Sequence, residues 1–263
     1  APNNSNFSQS LKVQGRVLHA LLIREMLTRY GRNNLGFLWL FIEPMLFTIV
    51  ITVLWTAMRR LHGSDLPIVA FALTGYSSLL MWRNMPGRCI RAISGNKSLL
   101  FHRLVRPLDV YIARILLEFA GTSASFVLLG ITFWAFDWLL PPEDAQHVLG
   151  GWLMLGWFGA ALALVLGALS ERSELVDRIW PPFSYLLFPF SGAAFLAETL
   201  PEKLREILLY LPMLNCIEFI RDGYFGSKIT AYHDMEYVAI FNLILTFLGL
   251  GLVRSAGAVT EEE

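Results

Sequence analysis

The chain has 263 residues, of which 55% are hydrophobic, 13% aromatic and only 16% charged. A soluble domain carries roughly 25% charged residues, so this composition excludes most soluble enzyme folds and indicates a chain whose solvent is largely lipid. The 21 basic residues balance the 21 acidic ones, so no nucleic-acid partner is expected. The N-terminus lacks a basic region followed by an apolar one, so no cleaved signal peptide is expected.

Six apolar, charge-poor intervals predict transmembrane helices. An apolar run of about 20 residues crosses a ~30 Å hydrocarbon core, and it must be helical because its backbone amides have to be satisfied within the segment. The predicted spans are residues 35–58, 66–82, 115–136, 148–170, 179–197 and 237–253. The sequence therefore predicts an all-α integral membrane fold with six transmembrane helices per chain, in a domain covering residues 35–254.

Residues 1–34 are expected to form a cytoplasmic segment that contains an amphipathic helix. From Leu22 to Arg32, a helical wheel separates Arg24, Glu25 and Arg29 from the apolar side chains. Such a helix is expected to lie in the membrane interface. Two interpretations stay open, namely an anchor to anionic lipid headgroups and a lever or gate beneath the pore.

The loop between the second and third spans, residues 83–106, is long for a connection within a compact domain. Basic and apolar residues alternate along it, which predicts an ordered pair of amphipathic helices interrupted at Gly95 and Asn96. This loop either only sets the membrane orientation or also forms a docking surface for a cytoplasmic partner.

Between the fifth and sixth spans, residues 207–217 form an uncharged stretch of only 11 residues. At about 1.5 Å per residue, a helix of this length does not cross the membrane. Residues 198–226, which include Glu218 and Arg221, are therefore expected to form a re-entrant or interfacial region.

Lys and Arg counts predict the orientation of the chain. The loops on the side of both termini carry 14 such residues and the opposite loops carry six, with Arg114 at a span edge left out. Cytoplasmic loops are enriched in Lys and Arg. Both termini, including a tail at residues 255–263, are therefore expected in the cytoplasm.

Several residues within the predicted spans are candidates for a transport path. Glu43 precedes Pro44 inside the first span. An ionisable residue at this depth either has a function, or is protonated or paired with an arginine and only fixes packing. Aromatic residues of the fifth span either stack on sugar rings or belong to a membrane-interface belt. The aromatic candidates for the path are Trp39, Tyr76, Trp82, Trp180 and Tyr185.

No motif for nucleotide binding or hydrolysis is present in the sequence. The patterns GxxxxGK[ST], HExxH and GxSxG are absent, as are Cys and His clusters with metal-ligand spacing. We therefore expect a transport protein and not an enzyme, with no cofactor of its own. A secondary transporter or a channel that works without an ATPase is the alternative, although no internal repeat is visible.

Three segments carry a resemblance to a known family. They are REMLTRYGRNNLGFLWLFIEPMLF at residues 24–47, the stretch from FALTGYSSLLMWRNM to SGNKSLLFHRLVRPLDVYIARILLE within residues 71–118, and LPMLNCIEFIRDGYFG at residues 211–226. Together they resemble the ABC-2 type transporter permeases, specifically the capsular polysaccharide exporters. Asn215 departs from that pattern, which has histidine at this position.

The resemblance implies a permease subunit of the bacterial inner membrane that works as a homodimer. A separate cytoplasmic subunit would bind ATP and magnesium, and a periplasmic adaptor and an outer-membrane channel would complete the export route. The implied substrate is an acidic, lipid-linked capsular polysaccharide, while O-antigen, teichoic acid or a drug are alternatives within the same group. The implied ATPase-coupling residues are Arg91, Asn96, Lys97, Leu99, Leu100, Phe101 and Arg103.

An acidic substrate also suggests a role for arginines near the cytoplasmic side. Arginine binds phosphate and carboxylate oxygens in a bidentate manner, so a cationic entrance is one interpretation. Simple attraction to anionic lipid, worth about 1 kcal/mol per basic residue, is the other. The candidates are Arg24, Arg29, Arg32, Arg83 and Arg88.

Overall fold

The computed structural model describes residues 7–30, 34–57, 66–96 and 105–262. This described part consists of helices, turns and loops, with short 3-10 turns at Ser94–Asn96, Phe188–Phe190, Ala197–Thr199 and Gly226–Lys228. Its α-helices are α1 (Phe7–Tyr30), α2 (Asn34–Ala57), α3 (Ile68–Cys89), α4 (Pro107–Ala135), α5 (Ala145–Ser170), α6 (Glu174–Leu186), α7 (Glu202–Leu208), α8 (Pro212–Phe225) and α9 (Met235–Glu262).

Among the described residues, three helices are long and apolar enough to cross a membrane, namely α4, α5 and α9. They coincide with the predicted third, fourth and sixth spans. A shorter apolar stretch, Phe41–Ala57, lies in α2 within the predicted first span. The all-helical prediction is confirmed for the described chain.

Several helices extend beyond the predicted segments. Helix α1 already begins at Phe7, α9 continues to Glu262 through the predicted tail, and α3 continues to Cys89, so Arg83 and Arg88 belong to a helix and not to a loop. Helix α4 begins at Pro107 instead of residue 115. Proline is favoured in the first turn, and the Asp109 side chain accepts a hydrogen bond from the backbone N–H of Arg106 at 2.9 Å.

The predicted fifth span is not one continuous helix. Helix α6 has 13 residues and rises only about 20 Å, which is less than the ~30 Å of a hydrocarbon core. Pro189, which has no N–H to donate, lies in the 3-10 turn that follows. Gly192 then adopts a left-handed φ of 84°, so the chain turns away from the helix axis.

Helix α5 lies at the centre of the fold and packs against α3, α8 and α9. Its glycines allow close approach to α3. A Cβ atom added at Gly159 would lie 2.9 Å from Sδ of Met85 and 3.2 Å from Cα of Trp82, and one added at Gly167 would lie 3.0 Å from the carbonyl oxygen of Cys89. Small residues at such positions are typical of helix pairs in membranes.

We expect Gly159→Ala to destabilise the α3–α5 pair, because the added methyl group overlaps Met85. Overpacking of this kind costs about 1 to 3 kcal/mol, and thermal unfolding of the detergent-solubilised protein measures it. Gly251→Ala on α9 is the matched control, since a Cβ atom there meets nothing within 4 Å. Equal melting temperatures for the two variants would contradict the close α3–α5 contact.

Contacts between segments distinguish the two ends of the helix bundle. At one end, which we call the basic end, Arg24 of α1 bonds Asn96 and Arg172 bonds Ser255. At the opposite end, the backbone N–H of Asp144 donates to the carbonyl of Gly223 at 2.8 Å. The basic end thus brings together α1, the turn after α3, the α5–α6 turn and the C-terminal part of α9.

Candidate functional site

Helix α1 packs against α4 with its charged face turned towards the protein. Arg114 Nε lies 3.1 Å from Glu25 Oε1, and Arg24 Nη1 donates to Asn96 Oδ1 at 2.6 Å. The apolar side chains Ile23 and Leu27 are 43% and 48% exposed. This arrangement leaves an apolar face available to lipid, as an interfacial helix requires, and the interfacial position stays a prediction.

Four charged residues from four helices form an arginine–carboxylate cluster, which consists of Arg29 (α1), Glu43 (α2), Arg88 (α3) and Glu118 (α4). Arg29 pairs with Glu118. Arg88 Nε lies 3.3 Å from Glu118 Oε1, and Arg88 Nη2 lies 3.4 Å from Glu43 Oε1. The Glu118 side chain is 8% exposed, whereas those of Arg88 and Glu43 are 36% and 37% exposed.

The formal charge of this cluster is zero, because two arginines meet two carboxylates. The cluster borders a polar cavity of about 10 Å³, which is close to the volume that one water molecule needs. The contact between Glu43 and Arg88 agrees with the interpretation in which Glu43 pairs with an arginine, and a functional role for Glu43 stays a prediction. The pairing also means that Arg29 and Arg88 already contact carboxylates of the chain itself.

The turn after α3, residues 90–96, is fixed to the α5–α6 turn by backbone hydrogen bonds. Arg91 has a left-handed φ of 51°, and its N–H donates to Ser170 Oγ at 2.9 Å. The Glu171 carboxylate accepts from Ile93 N at 2.8 Å and from Ser94 N at 3.1 Å. Glu171 therefore satisfies the amides that begin the 3-10 turn, as an N-cap side chain does in a helix.

Two predicted coupling residues lie within this turn. The Asn96 side chain is buried and bonds Ala92 O at 2.8 Å as well as Arg24, while Arg91 Nε lies 2.9 Å from Asp177 Oδ2. The structure therefore joins the turn to both α1 and α6. The other predicted coupling residues lie outside the described residues, namely Lys97, Leu99, Leu100, Phe101 and Arg103. Arg32 of the predicted entrance also lies outside them.

Three of the predicted path residues meet where α3 lies against α6. The Arg83 guanidinium lies 3.7 Å from the centroid of the Tyr185 ring, and its Nε donates to Ser184 Oγ at 3.3 Å. Trp180 is buried next to Gly87, where an added Cβ atom would lie 3.7 Å from the indole nitrogen. Arg83 thus binds an aromatic face and a hydroxyl of α6.

The other aromatic candidates are dispersed. Trp39 on α2 is 51% exposed, Tyr76 on α3 is half-buried, and Trp82 is fully buried with its ring centroid 6.4 Å from that of Phe158. Trp82 therefore belongs to the α3–α5 packing, and the structure does not bring these three residues together. A role for them on a substrate path stays a prediction.

Arg221 of α8 is fully buried and bonds the irregular backbone that follows α6. Its Nη1 donates to the carbonyls of Gly192 at 2.6 Å and Phe195 at 2.5 Å, and its Nη2 donates to that of Ala193 at 2.8 Å. A Cβ atom at Gly75 would lie 2.3 Å from Ala193 O and 2.6 Å from Arg221 Nη2. Glycine in α3 therefore makes room for this contact.

Glu218 lies one helical turn before Arg221 and bonds the same region from the other side. Its carboxylate accepts from Ala197 N at 3.1 Å and from Tyr232 N at 3.3 Å. Both residues of the predicted re-entrant region act on backbone groups.

Asn215 occupies a buried position where its side chain is used in full. Its Nδ2 donates to Leu209 O at 2.7 Å and to Leu211 O at 3.2 Å. Its Oδ1 accepts from Asp234 N at 2.8 Å. The amide therefore fixes the α7–α8 turn to the start of α9.

Sequence reasoning missed the acidic residues that hold the turn after α3. Glu171 and Asp177 lie in the segment ERSELVD at residues 171–177, which enters the sequence analysis only through the Lys and Arg count. The available signal was an acidic run on the same predicted side as the basic loop. Glu118 lies near the start of the predicted third span, and hydropathy gives no indication of its two arginine partners.

Comparison with known proteins identifies the family. The family model of the ABC-2 type transporter matches residues 16–225. The chain is 43% identical over 253 residues to the capsule polysaccharide export inner-membrane protein CtrC of Neisseria meningitidis serogroup B, with 96% of each chain covered. It is 41% identical over 253 residues to the capsule polysaccharide export inner-membrane protein BexB of Haemophilus influenzae, again with 96% of each chain covered.

A more distant relative is the polysialic acid transport protein KpsM of Escherichia coli. The identity is 25% over 244 residues, which cover 93% of this chain and 95% of that protein. These matches agree with the resemblance seen in the three sequence segments. The chain belongs to the ABC-2 type transporter family.

Proposed function

We propose that this chain is the membrane-spanning permease subunit of an ATP-driven exporter that carries lipid-anchored capsular polysaccharide across the bacterial inner membrane. The observation that carries the proposal is its identity of 41 to 43%, over 96% of the chain, to inner-membrane proteins of capsule polysaccharide export. The same relatives argue against a stand-alone secondary transporter, because they are permeases of ABC-2 type.

In this proposal each chain crosses the membrane six times. Helices α2, α3, α4, α5 and α9 provide five crossings, the broken segment that starts with α6 provides another, and α7 and α8 are re-entrant. Irregular backbone at membrane depth requires internal hydrogen-bond partners, and Arg221 supplies them here. With the basic end in the cytoplasm, both termini lie on the side that the Lys and Arg residues favour. Two copies of the chain then enclose one translocation path.

ATP hydrolysis belongs to a separate subunit at the basic end, which binds ATP and magnesium. Support comes from the lack of a P-loop in this sequence and from the ordered turn of residues 90–96, which is tied to α1 and to the α5–α6 turn. A periplasmic adaptor and an outer-membrane channel receive the polymer on the opposite side.

The arginine–carboxylate cluster gives the substrate's acidic end a place to bind. Because the cluster is neutral, an incoming phosphate or carboxylate has to replace a carboxylate of the chain. Glu43 is the replaceable partner, since its contact with Arg88 is long at 3.4 Å and both side chains are more than a third exposed. Arginine binds such oxyanions in a bidentate manner.

Deletion of the gene in a capsule-forming bacterium tests the proposal. We expect polymer to accumulate inside the cell and to disappear from the surface, because the path is missing, and expression of this chain in trans should restore surface polymer. Labelled antibody on intact and on permeabilised cells measures the two pools. Surface polymer that persists in the deletion strain would contradict the proposal.

A further inference from the structure

Helix α6 is attached to the described protein through one narrow face. Trp180 and Ser184 are its buried residues. The other sides are open, with Leu175 at 63%, Ile179 at 56% and Leu186 at 67% exposure. Few contacts therefore decide which neighbouring element α6 follows when the protein changes conformation.

Those contacts form three layers between α6 on one side and α3 with the turn after it on the other. Arg91 meets Asp177, Gly87 meets Trp180, and Arg83 meets Ser184 together with Tyr185. Residues three or four apart share one face of a helix, so the two arginines hold α6 at points about two helical turns apart. The indole of Trp180 fills the space between them.

The layer formed by Arg91 and Asp177 joins α6 to the turn of residues 90–96. The Arg91 side chain lies 2.9 Å from Asp177, while the Arg91 backbone N–H bonds Ser170 at 2.9 Å. Glu171 bonds the next amides of the same turn. The turn, the α5–α6 connection and the first turns of α6 are thus linked by hydrogen bonds and an ion pair.

We propose that Asp177 is a positioning residue that makes α6 move with the turn of residues 90–96, so that force applied to this turn reaches the broken fifth segment. The inference rests on the proposed function, because the force comes from the partner ATPase. Without the Arg91–Asp177 pair, movement of the turn would reach the start of α6 through Ser170 and Glu171 of the α5–α6 connection, and not through a strong contact with α6 itself. The Arg91–Asp177 pair is a shorter route.

Asp177→Lys tests this route in a complex of the full chain with its ATPase, reconstituted in vesicles. We expect polymer export per ATP hydrolysed to fall about fivefold or more, the lower end of typical coupling energies, while ATP hydrolysis continues. Glu174→Lys is the matched control, because Glu174 lies on the same helix but is 69% exposed and 3.8 Å from Arg91. Wild-type export per ATP in Asp177→Lys, or an equal loss in Glu174→Lys, would overturn the proposal.

A covalent link between positions 91 and 177 tests the same proposal, and it does not depend on whether the Asp177→Lys variant folds. In the double variant Arg91→Cys and Asp177→Cys, a short bifunctional thiol reagent replaces the ion pair, and the native Cys89 and Cys216 are fully buried. We expect the link to restore export that the double substitution lowers. Export that is blocked, or left unimproved, by the link would overturn the proposal. Failure of the wild-type complex to export polymer is a separate result, which contradicts the proposed function instead.

Discussion

Arg221→Ala is expected to leave little folded protein in the membrane. The substitution removes the donors for three backbone carbonyls, at Gly192, Ala193 and Phe195, in a segment where no helix can satisfy them. It also removes the positive charge that favours the ionised form of the buried Glu218 carboxylate. Leaving a buried acceptor without its donor costs about 1 to 3 kcal/mol, so the loss of donors for three carbonyls removes a large fraction of the stability of a typical domain.

Arg221→Lys is expected to rescue only part of this loss. Lysine keeps the charge, but its single ammonium group lacks the planar fork that reaches several carbonyls at once. The guanidinium carbon of Arg221 also lies 3.9 Å from the centroid of the Phe71 ring on α3. A flat cation suits this contact with the ring face. Protein yield from membranes and melting in detergent provide the readouts.

Arg178→Ala is the control for Arg221, because its side chain is 74% exposed and bonds only the exposed Glu174 among the described residues. Pairs of this kind are worth about 0 to 1 kcal/mol. A melting temperature for Arg221→Ala equal to that of Arg178→Ala would mean that the irregular segment does not depend on the guanidinium.

Glu118→Gln is expected to release the C-terminal end of α1, where Arg29 lies, from the bundle. One carboxylate oxygen of Glu118 contacts both Arg29 and Arg88, so the substitution removes the negative charge that both arginines contact. The loss approaches the 3 to 5 kcal/mol of a broken buried pair, about as large as for Arg221. Faster trypsin cleavage within α1, together with lower export, would report the release.

Glu43→Gln is the matched control, because it changes the same side-chain type next to the same arginine. The Glu43–Arg88 contact is longer and more exposed than the contacts of Glu118, so we expect about 1 kcal/mol or less. Trypsin cleavage of α1 that is equally fast in the two variants would show that Glu118 has no special part in holding α1.

The sequence carries enough information for the long apolar helices and for the end at which the basic segments meet. Hydropathy and length decide that α4, α5 and α9 are apolar enough to cross a membrane, and the structure agrees. The charged face of α1 is likewise visible in its helical periodicity. Periodicity shows which residues share a face, and it says nothing about the partner of that face.

Partners at long sequence separation are therefore the part that could not be predicted. Glu118 and Arg29 lie 89 positions apart, and Ile93 and Glu171 lie 78 apart, so only the packed fold brings them together. The break after α6 has a local cause in Pro189. The backbone carbonyls that the break leaves without helical partners are bonded by Arg221 from another helix. Hydropathy averages over such a break because the irregular segment is as apolar as a helix would be.

The most direct test of the account is ATP-driven export by the purified chain in sealed vesicles, with and without its ATPase subunit. We expect lipid-linked acidic polymer to cross the vesicle membrane only when both subunits and hydrolysable ATP with magnesium are present. A proton gradient alone should then move no polymer. Transport by the chain alone, driven by such a gradient, would contradict the account.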